Sequence, residues 1–521
     1  MGLYLNPGNR AFQMMTRSKI YIDKSKLIAL TNAVINTEDR FICVSRPRRF
    51  GKSVAANMLV AYYSRGCDSS KLFSPLEISK DADYTQHLNR YHVIHLNMTE
   101  FMTHSDSMCE ILDHLSKRLL HELKKVFGDV ECYDWTDLIS VLKEVFEEKQ
   151  VPFVFIIDEW DCVFREHKDD AAAQKDYLDF LRDLLKNQNY VALTYMTGIL
   201  PIKKYGKHSA LNMFTEISMT DVREYAEFTG FTEGEVKALC EQYNMPFEET
   251  KRWYDGYELR GVSVYNPRSV VMSMTGGYFS NYWTSTETYE ALKVYIEMNF
   301  DGLREKIIRM IAGESVKINT GKFQNDMTTF NSADDVLTLL VHLGYLSYDF
   351  NNAEVRIPNS EVQQEFINSI EDGGWESVMD SINQSEKLLN ATIAGDAETV
   401  ASAIELVHQE NTSILKYNDE NALACVISLA YYSARRKYRM VRELPTGKGF
   451  ADIVLIPFKN TESPAIVIEL KYEKSAETAI DQIKRKDYCD ALQGFSGEIL
   501  LVGISYDGEK KHSCVIERVK K

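Results

Sequence analysis

Over the first 220 residues, short apolar runs alternate with stretches of helical periodicity. Residues 41–45 (FICVS), 92–96 (HVIHL), 153–158, 191–197 (VALTYMT) and a shorter 214–218 (FTEIS) predict strands. Between them, apolar residues return every three or four positions near 52–64, 106–127, 136–148 and 171–187, which predicts helices. Strands this uniformly apolar are buried on both faces, as in a parallel sheet covered by helices. Beyond residue 220 the pattern turns helical, with two short helices expected around Thr229-Gly230-Phe231 and an aromatic-rich stretch over 253–289. Residues 333–370 read as helix, two short strands and helix, and 376–409 as further helix. From 419 the order is helix (419–437), strand (438–443), turn, strand (450–456), strand (465–471), helix (477–492) and strand (498–505).

A chain of 521 residues exceeds what one hydrophobic core organises, so an α/β multidomain protein is expected. The pattern divides it into a parallel-sheet domain (1–220), a small helical lid region (221–290), a region resembling a winged helix (291–375), a helical connector (376–410) and a C-terminal αβββαβ unit (411–521). With 45% hydrophobic and 26% charged residues, the composition is that of an ordered globular protein. The net charge of −16 argues against non-specific coating of a polyanion. That charge is unevenly spread: residues 411–521 sum to +3 and the first 410 residues to −19, which favours the C-terminal part for any nucleic-acid contact. The nine cysteines form no CxxC pair and read as reduced thiols. The start shows neither a secretory signal nor, with Asn6, a myristoylation signal, and no apolar run is long enough to span a bilayer. A cytoplasmic location without membrane contact is therefore expected.

The loop Ser45-Arg46-Pro47-Arg48-Arg49-Phe50-Gly51-Lys52-Ser53 follows an expected strand and opens an expected helix. A phosphate-binding loop needs that context, because the free N–H groups of the helix N-terminus must face the phosphates. Lys52 is expected on the β- and γ-phosphates and the Ser53 hydroxyl on Mg²⁺, while Gly51 lets the backbone approach closely. Arg46 stands where the first glycine of such loops is usual, and Arg46, Arg48 and Arg49 are expected to add phosphate contacts. Residues 153–159 end in Asp158 and Glu159, the first expected in the Mg²⁺ shell and the second on the attacking water. Thr197 is either a γ-phosphate sensor or a strand-end turn residue. Either motif alone is common; the two in this order are much less so.

The C-terminal unit places Asp452 on one strand and Glu469-Leu470-Lys471 on the next. Residues i and i+2 of a strand share a face, so Glu469 and Lys471 point to one site that Asp452 can join. Two converging carboxylates suit Mg²⁺, with Mn²⁺ as an alternative, and the metal would acidify a bound water and stabilise charge on a scissile phosphate. Glu420 is a further candidate ligand; Gln482, Lys484 and Tyr488 are candidates for nucleic-acid contact. Singly, each of these residues is as readily a solvated strand end or helix face.

Together, RPRRFGKS, the strand ending in Asp158-Glu159, YDGY…YNPRSV and YIDKSKLI (Tyr21 to Ile28) resemble the bacterial and archaeal AAA-ATPase-like proteins that end in a PD-(D/E)XK nuclease-superfamily domain. The resemblance implies a P-loop NTPase sheet sandwiched by helices and a restriction-endonuclease-like C-terminal domain. It implies Lys52, Ser53, Asp158 and Glu159 for ATP and Mg²⁺, and Asp452, Glu469 and Lys471 for the nuclease core, with Glu420 upstream and Gln482 downstream. The expected function is ATP-controlled, metal-dependent cleavage of DNA or RNA. The alternatives are a nucleotide-dependent switch or binding protein without cleavage, and an ATPase scaffold whose winged-helix-like region binds DNA. Oligomeric state, including a homo-oligomer, stays open, as do DNA against RNA and ATP against GTP. The aromatics Trp253, Tyr254, Tyr257, Tyr265, Tyr282 and Trp283 are expected in a core rather than stacked on bases.

Overall fold

The computed structural model describes residues 2–103, 107–202, 211–283, 290–298, 300–325, 327–371, 375–411, 420–446, 449–458, 463–485, 495, 497–506 and 511–520. They form two compact units, residues 1–288 with 317–362, and residues 289–316 with 363–521. Among the described residues no helix is long and apolar enough to cross a membrane.

The first unit is built on five strands: β1 (Phe41–Ser45), β2 (His92–Asn97), β3 (Phe153–Asp158), β4 (Val191–Gly198) and β5 (Thr215–Ile217). All pairings are parallel, in the order β2-β3-β4-β1-β5. Each expected strand is present to within a residue or two. Every residue of β1, β3 and β4 is buried, as uniformly apolar strands require. Ile42, Val44, Val154, Ile156 and Leu193 pack on the helix Lys52–Tyr63. The alternate residues Cys43, Phe155 and Ile157 face the other way and are equally buried. Helices start where side chains cap them: Asp137 accepts from the N–H of Ile139 (3.0 Å) and Asp170 from that of Ala173 (2.9 Å).

The β2 edge is covered by the N-terminal segment. Asn6 N–H donates to Val93 O (2.7 Å) and His95 N–H to Tyr4 O (2.9 Å). The Glu122 carboxylate accepts the N–H groups of Leu3 (2.7 Å), Tyr4 (3.0 Å) and Leu5 (2.7 Å), which anchors this strap. The Asn6 amide donates to His92 Nδ1 (3.1 Å). Burial, with the Arg65 guanidinium as a smaller cause, pushes the His92 imidazole down from 6.5 to about 4. As pH falls from 6.5 towards 4, the unfolded imidazole takes a proton that the folded one refuses, so stability is lost across that window. The full loss is about 3 kcal/mol. Urea unfolding from pH 7 to 4 should therefore show a shallower decline in His92→Gln than in the parent; equal slopes would refute this.

Beyond β5, the first unit adds β6 (Phe231–Thr232), β7 (Tyr257–Leu259) and β8 (Val262–Tyr265), a small antiparallel sheet in the order β6-β8-β7. The helix Glu233–Tyr243 carries a capping box from Thr232 and Glu235. Tyr254, Tyr257, Tyr265, Tyr282 and Trp283 are all buried, so these rings are core and not an exposed stacking platform. The YIDKSKLI stretch clips this module to the sheet domain, with Lys24 Nζ donating to Glu235 Oε1 (2.7 Å) and to Glu227 O (2.6 Å). After β9 (Val316–Lys317), the helix Ala333–Leu343, the hairpin β10 (Ser347–Asp349) and β11 (Glu354–Arg356), and the helix Ser360–Glu371 follow in the order expected.

The second unit contains β12 (Tyr438–Thr446), β13 (Gly449–Pro457), β14 (Ala465–Tyr472), β15 (Glu498–Tyr506) and β16 (His512–Lys520), in that spatial order. Only β14 and β15 pair in parallel, joined through the helix Ala476–Arg485. Ile480 and Ile483 of that helix pack on Val454, Val467, Ile499 and Leu501. A Cβ at Gly503 would come 2.3 Å from Ala476 O, so only glycine lets the helix lie this close to β15. The αβββαβ order is as expected, and β16 is an addition to it. The helices Glu376–Ala394 and Ala397–Asn411 pack within this unit: Thr392 bonds the Tyr431 hydroxyl (2.7 Å), and His408 Nδ1 bonds His512 Nε2 (3.0 Å).

Candidate active sites

In the first unit, β4 lies between the loop-bearing β1 and the acid-bearing β3, so the C-terminal ends of all three form one edge. Ser45 stands in register with Gly198. The loop is tied to the end of β4 by Arg46 N–H to Gly198 O (3.0 Å) and Ser45 Oγ to Leu200 O (2.8 Å). Arg49 (φ 68°) and Gly51 (φ 83°) both take left-handed backbone, which curls the loop before Lys52 begins its helix. The Lys52 ammonium is buried and donates to Arg46 O and Pro47 O, both at 3.0 Å. Burial lowers its pKa, and the Glu159, Asp161 and Asp158 carboxylates act against that fall. Ser53 and Arg48 are exposed and Arg49 half-buried.

Asp158 is buried; it accepts from the Thr197 hydroxyl and from Glu159 N–H (3.0 Å). Thr197 is thus joined to the Asp158 carboxylate. Glu159 has φ 53°, and its carboxylate is paired with Arg165. Burial is the largest cause raising the Glu159 pKa, opposed by Lys52 and Arg165. Asp161 and Arg165 join this group, and the hydrophobic pattern carries no sign of either. Asp161 is fully buried and accepts from the N–H groups of Ile199 (3.0 Å) and Leu200 (2.9 Å).

Two loop residues face inward rather than toward a phosphate. The Arg46 guanidinium is fully buried, donating to Thr229 Oγ1 (3.0 Å), Ser45 O (3.0 Å) and Ile217 O (3.4 Å). Burial pulls its pKa down to about 10. Phe50 is buried edge-to-face on Tyr257 (5.3 Å, 84°), and its carbonyl accepts from Gly230 N–H (2.9 Å). Phe50→Ala should therefore cost the first unit about 3–5 kcal/mol in urea unfolding. A change under about 1 kcal/mol, the range of a surface substitution, would show that the ring does not brace the loop.

In the second unit, the β13–β14 ladder runs from Leu455↔Ile466 to Ile453↔Ile468 and stops there. Past that point the Asp452 side chain, not its backbone, accepts from Leu470 N–H (2.7 Å). The strands part at this position, and Asp452 stays against β14 beside Glu469. Glu469 is 1% exposed; it accepts from Lys471 Nζ (3.0 Å) and from the Gln482 amide. Lys471 Nζ also donates to Leu470 O (2.8 Å). Asp452, Glu469, Lys471 and Gln482 are therefore gathered from two strands and a helix. Lys484 is exposed and paired with Glu517 (2.6 Å), so its charge is already shared with β16. Tyr488 lies outside the described residues, as does the side chain of Glu420, whose backbone opens the helix Glu420–Ala430. No cluster of three or more metal-ligating side chains occurs among the described residues. Mg²⁺ does not require one, since it keeps several waters and binds through one or two carboxylates.

A parallel sheet with a lysine-bearing loop on one strand and an acid on a second, with a third strand between, defines a P-loop NTPase fold. The mixed C-terminal sheet, with its carboxylates and lysine on adjacent strands, has the form of a PD-(D/E)XK domain. Residues 8–206 match the family model described as "Predicted AAA-ATPase", and residues 418–515 match that of the PD-(D/E)XK nuclease superfamily. The chain thus joins an AAA-ATPase-like domain to a PD-(D/E)XK nuclease-superfamily domain. An uncharacterized protein in the vnfD 5' region of Azotobacter chroococcum mcd 1 is 24% identical over 254 residues, 47% of each chain. The chain spans about half the length of this curated relative. Among solved structures, the Aeropyrum pernix ORC2 protein (ADPNP–ADP complexes) aligns at 12% identity and a TM-score of 0.31, over 70% of this chain and 98% of that one. Cdc6p from Pyrobaculum aerophilum aligns at 10% and 0.23, over 67% and 93%. The strand order, and not these two alignments, defines the fold.

Proposed function

We propose that the first unit binds and hydrolyses ATP with Mg²⁺, and that its nucleotide state controls metal-dependent cleavage of DNA or RNA by the second. The observation that carries this reading is convergence: in each unit, residues from separate elements meet with the charges that phosphoryl chemistry needs. Lys52 would take the β- and γ-phosphates, and Ser53 and Asp158 the Mg²⁺ shell. Glu159 would accept a proton from water as its oxygen bonds to the γ-phosphorus. The bond to the β-phosphate oxygen breaks, and its electron pair leaves with ADP. Arg48 and Arg49 would add phosphate contacts.

In the second unit, Asp452 and Glu469 would hold Mg²⁺ or Mn²⁺, which when bound acidifies water and neutralises phosphate charge. Lys471 would orient that water, and Gln482 would steady Glu469. Metal-dependent cutting of plasmid or oligonucleotide that is lost in Asp452→Ala is the expected result. Protein that cuts nothing with either metal, with or without ATP, would leave the switch or binding protein as the better account.

A further inference from the structure

Asp161 and Arg165 have no task in the proposed hydrolysis, and a role for them rests on Glu159 being its base. Arg165 lies on the short helix Cys162–Glu166 that follows β3. Its Nη2 bonds Glu159 Oε2, and its Nε lies 3.4 Å from Asp161 Oδ2. These are not surface ion pairs: the side chains of Arg165, Asp161 and Glu159 are 14%, 0% and 24% exposed.

One guanidinium faces two carboxylates, and their other partners differ. Asp161 Oδ2 already accepts two backbone N–H groups, from Ile199 and Leu200. Charge-assisted bonds of that kind stabilise a carboxylate without a cation. Arg165 is thus left to serve Glu159, while Asp161 serves as its brace. The brace is itself fixed to the end of β4. Trp160 N–H donates to Thr197 O (3.0 Å), and a Cβ at Gly198 would come 2.7 Å from Asp161 Oδ1 and from the Trp160 ring. Only glycine lets the ends of β3 and β4 approach this closely. Glu159 takes left-handed backbone at φ 53°, which a residue with a Cβ adopts only when its surroundings hold it there. Backbone and guanidinium therefore both set the direction of this carboxylate, with Arg165 on Oε2.

We propose that Arg165, braced by Asp161, is a positioning residue for ATP hydrolysis, holding the Glu159 carboxylate at the angle from which it takes the proton of the attacking water. It acts through Glu159 and not on the nucleotide, so it should govern turnover and leave binding alone.

The test is phosphate release by the full chain with Mg²⁺-ATP, alongside nucleotide Kd and melting temperature, for the parent, Arg165→Ala, Arg165→Lys, Asp161→Asn and Glu159→Gln. Arg165→Ala should lower kcat about ten- to a hundredfold while Kd stays within about twofold, the signature of a misplaced group. Arg165→Lys should recover part of the loss, and Asp161→Asn should show a smaller loss with Kd unchanged. Should Arg165→Ala not fold, the lysine and asparagine variants decide by the same split between kcat and Kd. If Glu159→Gln is inactive but Arg165→Ala turns over at or above the parent rate, the positioning role is wrong and the base assignment stands. If kcat and Kd worsen together, with no recovery by lysine, Arg165 is a structural strut. If Glu159→Gln keeps the parent kcat, the base assignment falls, and this inference with it.

Discussion

Lys52→Ala should abolish measurable nucleotide binding, raising Kd by about a hundredfold or more. Charge-assisted hydrogen bonds contribute about 1.5–3 kcal/mol each. Two of them to phosphate oxygens correspond to a factor of about 10² to 10⁴. The loss should be at the upper end, because Lys52 is buried and the charges facing it are Asp158, Glu159 and Asp161. Without the ammonium, a polyphosphate would meet those three carboxylates with the charge of Lys52 no longer opposing them. Lys52→Met is the better-controlled variant, since it keeps the aliphatic stem that packs beneath the loop. Calorimetric titration with Mg²⁺-ATP decides it; a Kd unchanged in both variants would refute the phosphate assignment, whatever the folding stability.

The second large effect belongs to the other unit. Glu469→Gln and Lys471→Ala should each lower cleavage by about 10² to 10⁴, the range for loss of a proton-transfer or charge-stabilising group. Their effects on metal binding should differ. Glu469 is fully buried and holds both Lys471 and Gln482, so its neutral replacement would remove a proposed metal ligand together with the partner of both side chains. Lys471→Ala leaves both carboxylates in place and should keep Mn²⁺ affinity within about threefold while cutting is lost. Metal titration in parallel with cleavage separates them. If Lys471→Ala cuts like the parent, the ammonium has no part in the chemistry.

The succession of strands and helices in the first unit was legible because buried parallel strands are apolar without interruption and the helices between them are amphipathic. The Glu469–Lys471 pairing was legible because i and i+2 share a strand face. Arg46 was not: a basic loop looks the same in sequence whether its guanidinium turns outward or inward, and here the deciding partner is Thr229, 183 positions away. Asp161 and Arg165 carry no periodicity, and only the approach of β4 to the end of β3 shows that they belong with Glu159. The strand β16 lacks a regular alternation, with Val515-Ile516 and Glu517-Arg518 side by side, and lies beyond the last expected element; its pairing with β15, and Arg518 on Glu498 (3.1 Å), make it an edge strand. The end of the β13–β14 ladder at Asp452 is a matter of register, which composition does not encode.

In the proposed function, nucleotide state at Lys52 governs cutting at Asp452, Glu469 and Lys471. The direct measurement is the rate of nucleic-acid cleavage by the full chain with Mg²⁺, with and without ATP, for the parent, Lys52→Met and Lys471→Ala. Cutting by the parent that changes with ATP, keeps no ATP dependence in Lys52→Met and disappears in Lys471→Ala is the predicted result. Cutting that ignores ATP in the parent, or that survives Lys471→Ala, would contradict it.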